Sequence, residues 1–294
     1  MFNLCITIMS KKFKYADLLD DDAFKLVFGQ ESTKNVVIEF LNQVITDRRV
    51  KDVHFSDKEM HPCVRDKKTS VYDLLCTTDD DSQIIVELQK RKQDCYAERM
   101  LYYSMHQILK KVEVGQKSFD FCPIYVISIL DFTLDQNDGI PDVKTVYRLY
   151  EENNGRLLTN RLTYIFIELP KLKKRVNELD GSILEGIYYC LRHMPKLKRR
   201  PKALKHKVFD TIFTTSEFIN MDEETREKIL EKMTTERDLA NQFDYARKVS
   251  HKKGLAKGVA ETKLETAKKM KECGVPDDVI SKCTDLPIET VQSL

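Results

Sequence analysis

Paired cysteines, long apolar runs and an excess of charge of either sign are all missing from this 294-residue sequence. Its eight cysteines (Cys5, Cys63, Cys76, Cys95, Cys122, Cys190, Cys273, Cys283) are scattered and form no C-x-x-C pair. That excludes a small disulfide framework, and a zinc site built from such distant residues would lack the usual local ligand spacing. Reduced thiols in a cytoplasmic protein are the expectation. No stretch approaches the roughly 20 apolar residues of a membrane span, so no membrane contact is expected. The opening Met1–Met9 is apolar, but it has no basic leading segment and is too short for an anchor. Met9, followed by Ser10-Lys11-Lys12, offers an alternative start, and residues 1–8 are assigned no function. There is no P-loop, no H-E-x-x-H and no G-x-S-x-G, and the six histidines show no ligand spacing. Histidine catalysis is therefore not expected.

Lysine and arginine (49) nearly cancel aspartate and glutamate (47), leaving a formal charge of +2. Attraction to nucleic acid must then come from local clusters rather than from the whole chain. With 41% hydrophobic residues the chain can fill a sizeable core, and its length suits one main domain followed by smaller units.

Phe24, Val27 and Phe28, then Val36, Val37, Phe40, Leu41, Val44 and Ile45, recur at spacings of three and four. They predict helices over 20–28 and 31–45, started by the acids Asp20 to Asp22 and separated by Gly29. Strand-like runs follow over 50–55, 70–77 and 83–89, the last two joined as a hairpin by Asp79-Asp80-Asp81. A long amphipathic helix is expected over 94–112. The apolar run Phe121-Cys-Pro-Ile-Tyr-Val-Ile-Ser-Ile-Leu130 suits a strand buried on both faces. Further strands are expected over 146–151 and 162–169, and helices over 182–194, 202–213 and 222–250, with short ones over 264–273, 276–283 and 288–294.

A hairpin turning about Asp80 places Asp73 opposite Glu87, with Cβ atoms roughly 5 Å apart on one face. Gln89 projects to that face as well. Asp73 stands in the otherwise apolar Val71-Tyr72-Asp73-Leu74-Leu75, where an unpaired charge is costly. Two converging carboxylates repel, and a Mg²⁺ ion between them resolves the conflict with one or two carboxylates plus waters and phosphate oxygens. The alternative is that both face solvent, or bridge to Arg99 or Lys90.

Several blocks in consistent order resemble the PD-(D/E)XK nuclease family transposases. They are Asp21-Asp-Ala-Phe-Lys-Leu-Val-Phe-Gly29, Phe40-Leu-Asn42, Asp73, Ile85-Val-Glu-Leu-Gln89, Glu98-Arg-Met-Leu-Tyr-Tyr103 and the 121–127 run. The resemblance implies an α/β fold: a restriction-endonuclease-like core with a central mixed β-sheet flanked by helices, then an all-helical C-terminal region. It implies Mg²⁺-dependent cleavage of DNA, with Mn²⁺ as a substitute, linked to transposition or recombination. Asp73 and Glu87 would hold the metal, helped by the Leu88 carbonyl. Tyr72 stands where the general motif has proline, and Gln89 where it has lysine. The branch resembled here itself tends to E-x-Q. Lys25 is a substitute cation or an exposed helix lysine; Asp21 is a third acid or a cap. A phosphate contact is the role considered for Arg99.

Arg192, Lys196, Lys198, Arg199, Arg200 and Lys202 open a segment to Lys207 with eight basic residues and no acid. It reads as a DNA phosphate-contacting ridge or as a solvated connector. The expected domains are a nuclease-like core over 15–170, a helical extension over 171–250 and a small helical tail over 251–294. A joint is expected near 252–258. The tail reads as helix-turn-helix-like or as an oligomerisation element, for instance of a homodimer. A nuclease fold that has lost activity and only binds DNA is the second functional reading.

Overall fold

The computed structural model describes residues 13–56, 59–60, 70–111 and 121–294. The apolar opening, Cys5, His61, Cys63 and Phe119 lie outside the described residues. The chain divides into two compact units, 1–233 and 234–294.

In the first unit, α1 (Asp21–Phe28) begins where the Asp20 carboxylate accepts from the amides of Asp22 (3.0 Å) and Ala23 (3.2 Å). Asp21 and Asp22 add charge that suits a helix N-terminus. Gly29 ends the helix; a Cβ there would stand 2.9 Å from the Lys25 carbonyl oxygen. After a short 3₁₀ turn, α2 (Lys34–Val44) buries Val36, Val37, Phe40, Leu41 and Val44, matching the sequence spacing.

The strands are β1 (Val53–Phe55), β2 (Glu59–Met60), β3 (Ser70–Val71), β4 (Leu74–Thr78), β5 (Gln83–Gln89), β6 (Ile124–Leu130), β7 (Lys144–Tyr147) and β8 (Leu162–Glu168). Six form a mixed sheet in the order β1-β4-β5-β6-β8-β7, with β5, β6 and β8 parallel and the other pairs antiparallel. The central mixed sheet flanked by helices is the expected fold. Strands β2 and β3 pair separately.

Side-chain alternation sorts the sheet into two cores. Ile84, Val86 and Leu88 with Tyr125, Ile127 and Ile129 pack toward α1, α2, α4 (Ile183–His193) and α5 (Val208–Ser216). Ile85, Ile124, Val126, Leu162, Tyr164 and Phe166 pack on the other face beneath Tyr96, Met100 and Tyr103 of α3 (Tyr96–Lys111).

Several expected boundaries move. The 70–77 strand is broken at Tyr72 and Asp73: Ser70 and Val71 pair with β2, and the sheet strand starts only at Leu74. The 202–213 helix starts at Val208, because a turn at Lys202 and Ala203, just after Pro201, and irregular chain to Lys207 occupy its expected first residues. The helices expected over 222–250 and 264–273 are one, α6 (Glu223–Glu272), helical through the expected joint at 252–258. Gly254 and Gly258 each cost about 1 kcal/mol in a helix, yet Ala256, Ala260 and the flanking lysines and glutamates favour it and no proline interrupts.

The second unit holds the end of α6, then α7 (Asp277–Thr284) and α8 (Ile288–Gln292), gathered on Ala267, Ile280 and Val291. The six described cysteines are free thiols. Among the described residues no helix is long and apolar enough to cross a membrane.

Helices α4 and α5 meet at a close approach that only glycine permits. A Cβ on Gly186 would lie 2.4 Å from Phe209 Cζ and 2.8 Å from Leu204 Cδ2, both of buried side chains. Gly186→Ala is expected to destabilise the first unit by about 1–3 kcal/mol through overpacking, read as a lower urea midpoint.

Candidate active site

The hairpin tip fixes what lies at its open end. Arg48 Nη1 donates to Asp80 Oδ2 and to Ser82 Oγ, both at 2.6 Å, and Thr78 Oγ1 donates to Asp80 Oδ1 at 2.6 Å. Asp81 takes a left-handed φ of 63° to close the turn. The resulting register pairs Leu74 with Val86 and Leu75 with Ile85. Carried one residue further, it sets Asp73 against Glu87, as the sequence predicts.

Asp73 sits in a bend, not in the strand. Its Oδ2 accepts from the Leu88 amide at 2.7 Å, so the side chain takes a donor that the ladder leaves open. Tyr72, fully buried, packs edge-on against Tyr103 at 5.2 Å and accepts from Gln107 Nε2 at 2.9 Å.

Glu87 is 2% exposed and pairs through Oε2 with Arg99 Nη2 at 3.3 Å; among the described residues no well-formed hydrogen bond reaches its Oε1. This matches the bridging alternative for Glu87 in part, whereas Lys90 pairs instead with Asp17 at 3.2 Å. Burial pushes Glu87 well above the usual carboxylate range, and the Asp73 charge adds to it. Burial likewise lifts Asp73 to about 6, with Asp21 contributing, against the Leu88 amide, Lys25 and Arg99. Asp21, exposed, and Lys25, half-buried, thus act on the Asp73 charge from α1.

Gln89 donates from Nε2 to the Arg91 carbonyl (3.1 Å), and its Oε1 accepts from Arg99 Nη1 (3.5 Å). Ser128 of β6 is the register partner of Glu87. The sequence reading passed over it, although a serine inside Ile127-Ser-Ile129 is the visible signal of room beside the acid. Gln93 and Gln107 were also passed over; the spacing of Arg99, Tyr103 and Gln107 by four is the signal that joins them.

The basic segment is not uniform. Arg192 Nη1 donates to the carbonyls of Leu169 (3.1 Å) and Leu172 (2.9 Å). Arg200 binds the carbonyls of Leu204 and His206 and the Asp210 carboxylate. Both arginines brace the fold, while Lys196, Lys198, Arg199 and Lys202 are exposed.

A buried acid with an orphaned oxygen beside a half-buried one fits a hard divalent cation, which takes one or two carboxylates and completes its shell with water. Among the described residues no group of three or more His, Cys, Asp and Glu side chains stands ready to hold a metal, so water and backbone would supply the remaining ligands.

A profile of the PD-(D/E)XK nuclease family transposases matches residues 18–246. The chain belongs to this family. Nothing matched among curated proteins or among solved structures. As a PD-(D/E)XK nuclease family transposase the chain has a role tied to nuclease chemistry or transposition, with DNA as the substrate the family implies. Nucleases of this type typically use divalent metals.

Asp73 and Glu87 of this transposase-family chain both have their pKa raised on folding. For such an acid, stability is full below the unfolded pKa, near 3.8 for Asp73, and is lost as pH rises through the folded value of about 6. Asp73→Asn keeps an acceptor for the Leu88 amide and removes the penalty. In EDTA it is expected to match wild type near pH 4 and to exceed its unfolding free energy by about 1–3 kcal/mol at pH 8. Urea unfolding at both pH values reads the difference; equal stability at pH 8 would mean that Asp73 ionises without cost.

Proposed function

We propose that this protein is a Mg²⁺-dependent DNA endonuclease, hydrolysing phosphodiester bonds in the course of transposition or recombination. The observation that carries the reading is the convergence of Asp73 and Glu87, one carboxylate held by the Leu88 amide and the other with a buried, unpartnered oxygen. Such a pair is costly alone and is relieved by a cation.

Asp73 and Glu87 would hold the metal, with the Leu88 carbonyl as a backbone ligand and Mn²⁺ as a substitute. Bound there, a divalent ion lowers the pKa of the attacking water and offsets charge on the phosphate. Gln89 cannot act as a base; its amide can orient a water or a phosphate oxygen. Lys25, which forms no ion pair with a described side chain, faces the developing charge as a cation, and Asp21 adds an acid at the rim. Lys196, Lys198, Arg199 and Lys202 contact the DNA backbone, with Arg192 and Arg200 shaping the ridge that carries them. The helical tail serves as a DNA-contacting or homodimer-forming element. Free thiols suit a cytoplasmic setting.

A second reading, a nuclease fold that binds DNA without cutting, is favoured by one observation: Gln89 in place of the motif lysine. Supercoiled plasmid separates the two. With Mg²⁺, nicked or linear product is expected from wild type, none in EDTA, and none above the EDTA background from Asp73→Ala or Glu87→Ala. Retarded but uncut plasmid in every lane would establish the binding-only reading.

A further inference from the structure

The general motif brings a positive charge to position 89; this chain has a neutral amide there and an arginine against it. The Arg99 guanidinium contacts three separate segments. Nη2 reaches Glu87 Oε2 at 3.3 Å, Nη1 reaches Gln93 Oε1 at 3.1 Å and Gln89 Oε1 at 3.5 Å, and Nε donates to Tyr103 Oη at 2.8 Å. Its Cζ also lies 5.2 Å from the centre of the Tyr103 ring. Tyr103 is itself wedged against Tyr72, the residue before Asp73. Residues 99 and 103 are one helical turn apart on α3, so a single helix face touches both carboxylate-bearing segments.

Resting on the nuclease reading, we propose that Arg99 is the positioning residue of this site. It fixes the Glu87 side chain with Oε1 left for a cation, and it supplies in place the positive charge that Gln89 lacks. The two departures are complementary. Gln89 turns its oxygen toward Arg99, whereas a lysine at 89 would set an ammonium beside the guanidinium. A merely structural arginine would make no such demand on residue 89.

The test uses full-length Arg99→Gln, Gln89→Lys and the double variant. Plasmid cleavage is read beside Mn²⁺ affinity by calorimetry, and thermal melting confirms folding. Arg99→Gln is expected to melt close to wild type, to lose about 10- to 100-fold in cleavage rate, and to bind Mn²⁺ more weakly by a similar factor. Gln89→Lys alone should cut more slowly than wild type, yet the double variant should cut faster than Arg99→Gln, since the new ammonium then has no guanidinium against it. Arg99→Gln with wild-type cleavage and Mn²⁺ affinity would overturn the assignment, and so would a double variant no faster than Arg99→Gln. Should wild type bind Mn²⁺ without cutting, the nuclease reading falls, while weaker Mn²⁺ binding by Arg99→Gln upholds the positioning role and unchanged binding refutes it. A wild type that binds no Mn²⁺ removes both.

Discussion

A carboxylate sealed inside an apolar sheet must find a partner, and the region around Asp73 and Glu87 is arranged by that requirement. The two acids are brought together by a hairpin whose own turn is locked far from them, by Arg48, Asp80 and Ser82. Asp73 leaves the strand to reach the Leu88 amide. Glu87 draws Arg99 inward from α3, and Arg99 is in turn bound by Gln89, Gln93 and Tyr103. Each of these contacts follows from placing negative charge where water is scarce. None of them neutralises the pair in full.

The same sheet holds a control. Glu168, at the end of β8, is fully buried like Glu87, but its partners are complete. Lys171 Nζ lies 2.8 Å away, the Leu134 amide donates at 2.7 Å and Asn137 Nδ2 at 2.8 Å. That acid pins the loop after β6 to the end of β8 and needs nothing further. Glu87 has one ion pair, at 3.3 Å, the influence of the Asp73 backbone amide, and an Oε1 that meets no well-formed hydrogen bond among the described residues. A fold able to satisfy one buried glutamate so thoroughly leaves the other short, and that shortfall is what supports the proposed cation site.

Local signals made much of this visible before any coordinates. The apolar spacing of α1 and α2, the run of β6 and the register of the β4–β5 hairpin depend on neighbours in sequence, and they were legible. The break at Asp73 was not, because it arises from a hydrogen bond to Leu88, fifteen residues away, which no propensity encodes. Nor was the continuity of α6: two glycines read as a joint, and the helix-forming residues around them outweigh that cost. For Arg99 the sequence offers both a phosphate contact and a bridge to the acids, and only the packing of α3 on the sheet selects the pairing with Glu87. In the basic segment the sequence cannot separate Arg192 and Arg200, committed to backbone carbonyls, from the exposed Lys196, Lys198, Arg199 and Lys202.

Where the general motif places a lysine, charge has to come from outside the E-x-Q triplet, and two sources approach from opposite elements. Lys25 comes from α1 and bears on Asp73 through its field; Arg99 comes from α3 and touches Glu87 directly. Their positions suit different work. In the proposed site, a half-buried lysine with no ion pair among the described residues would meet an incoming phosphate. An arginine with four of its five N–H groups engaged, at Nε, Nη1 and Nη2, is placed to hold the site still. Splitting one motif residue's duties between two helices ties the charge balance of the site to how both α1 and α3 pack on the sheet. The buried pair and the two layers that cover it are therefore one constraint.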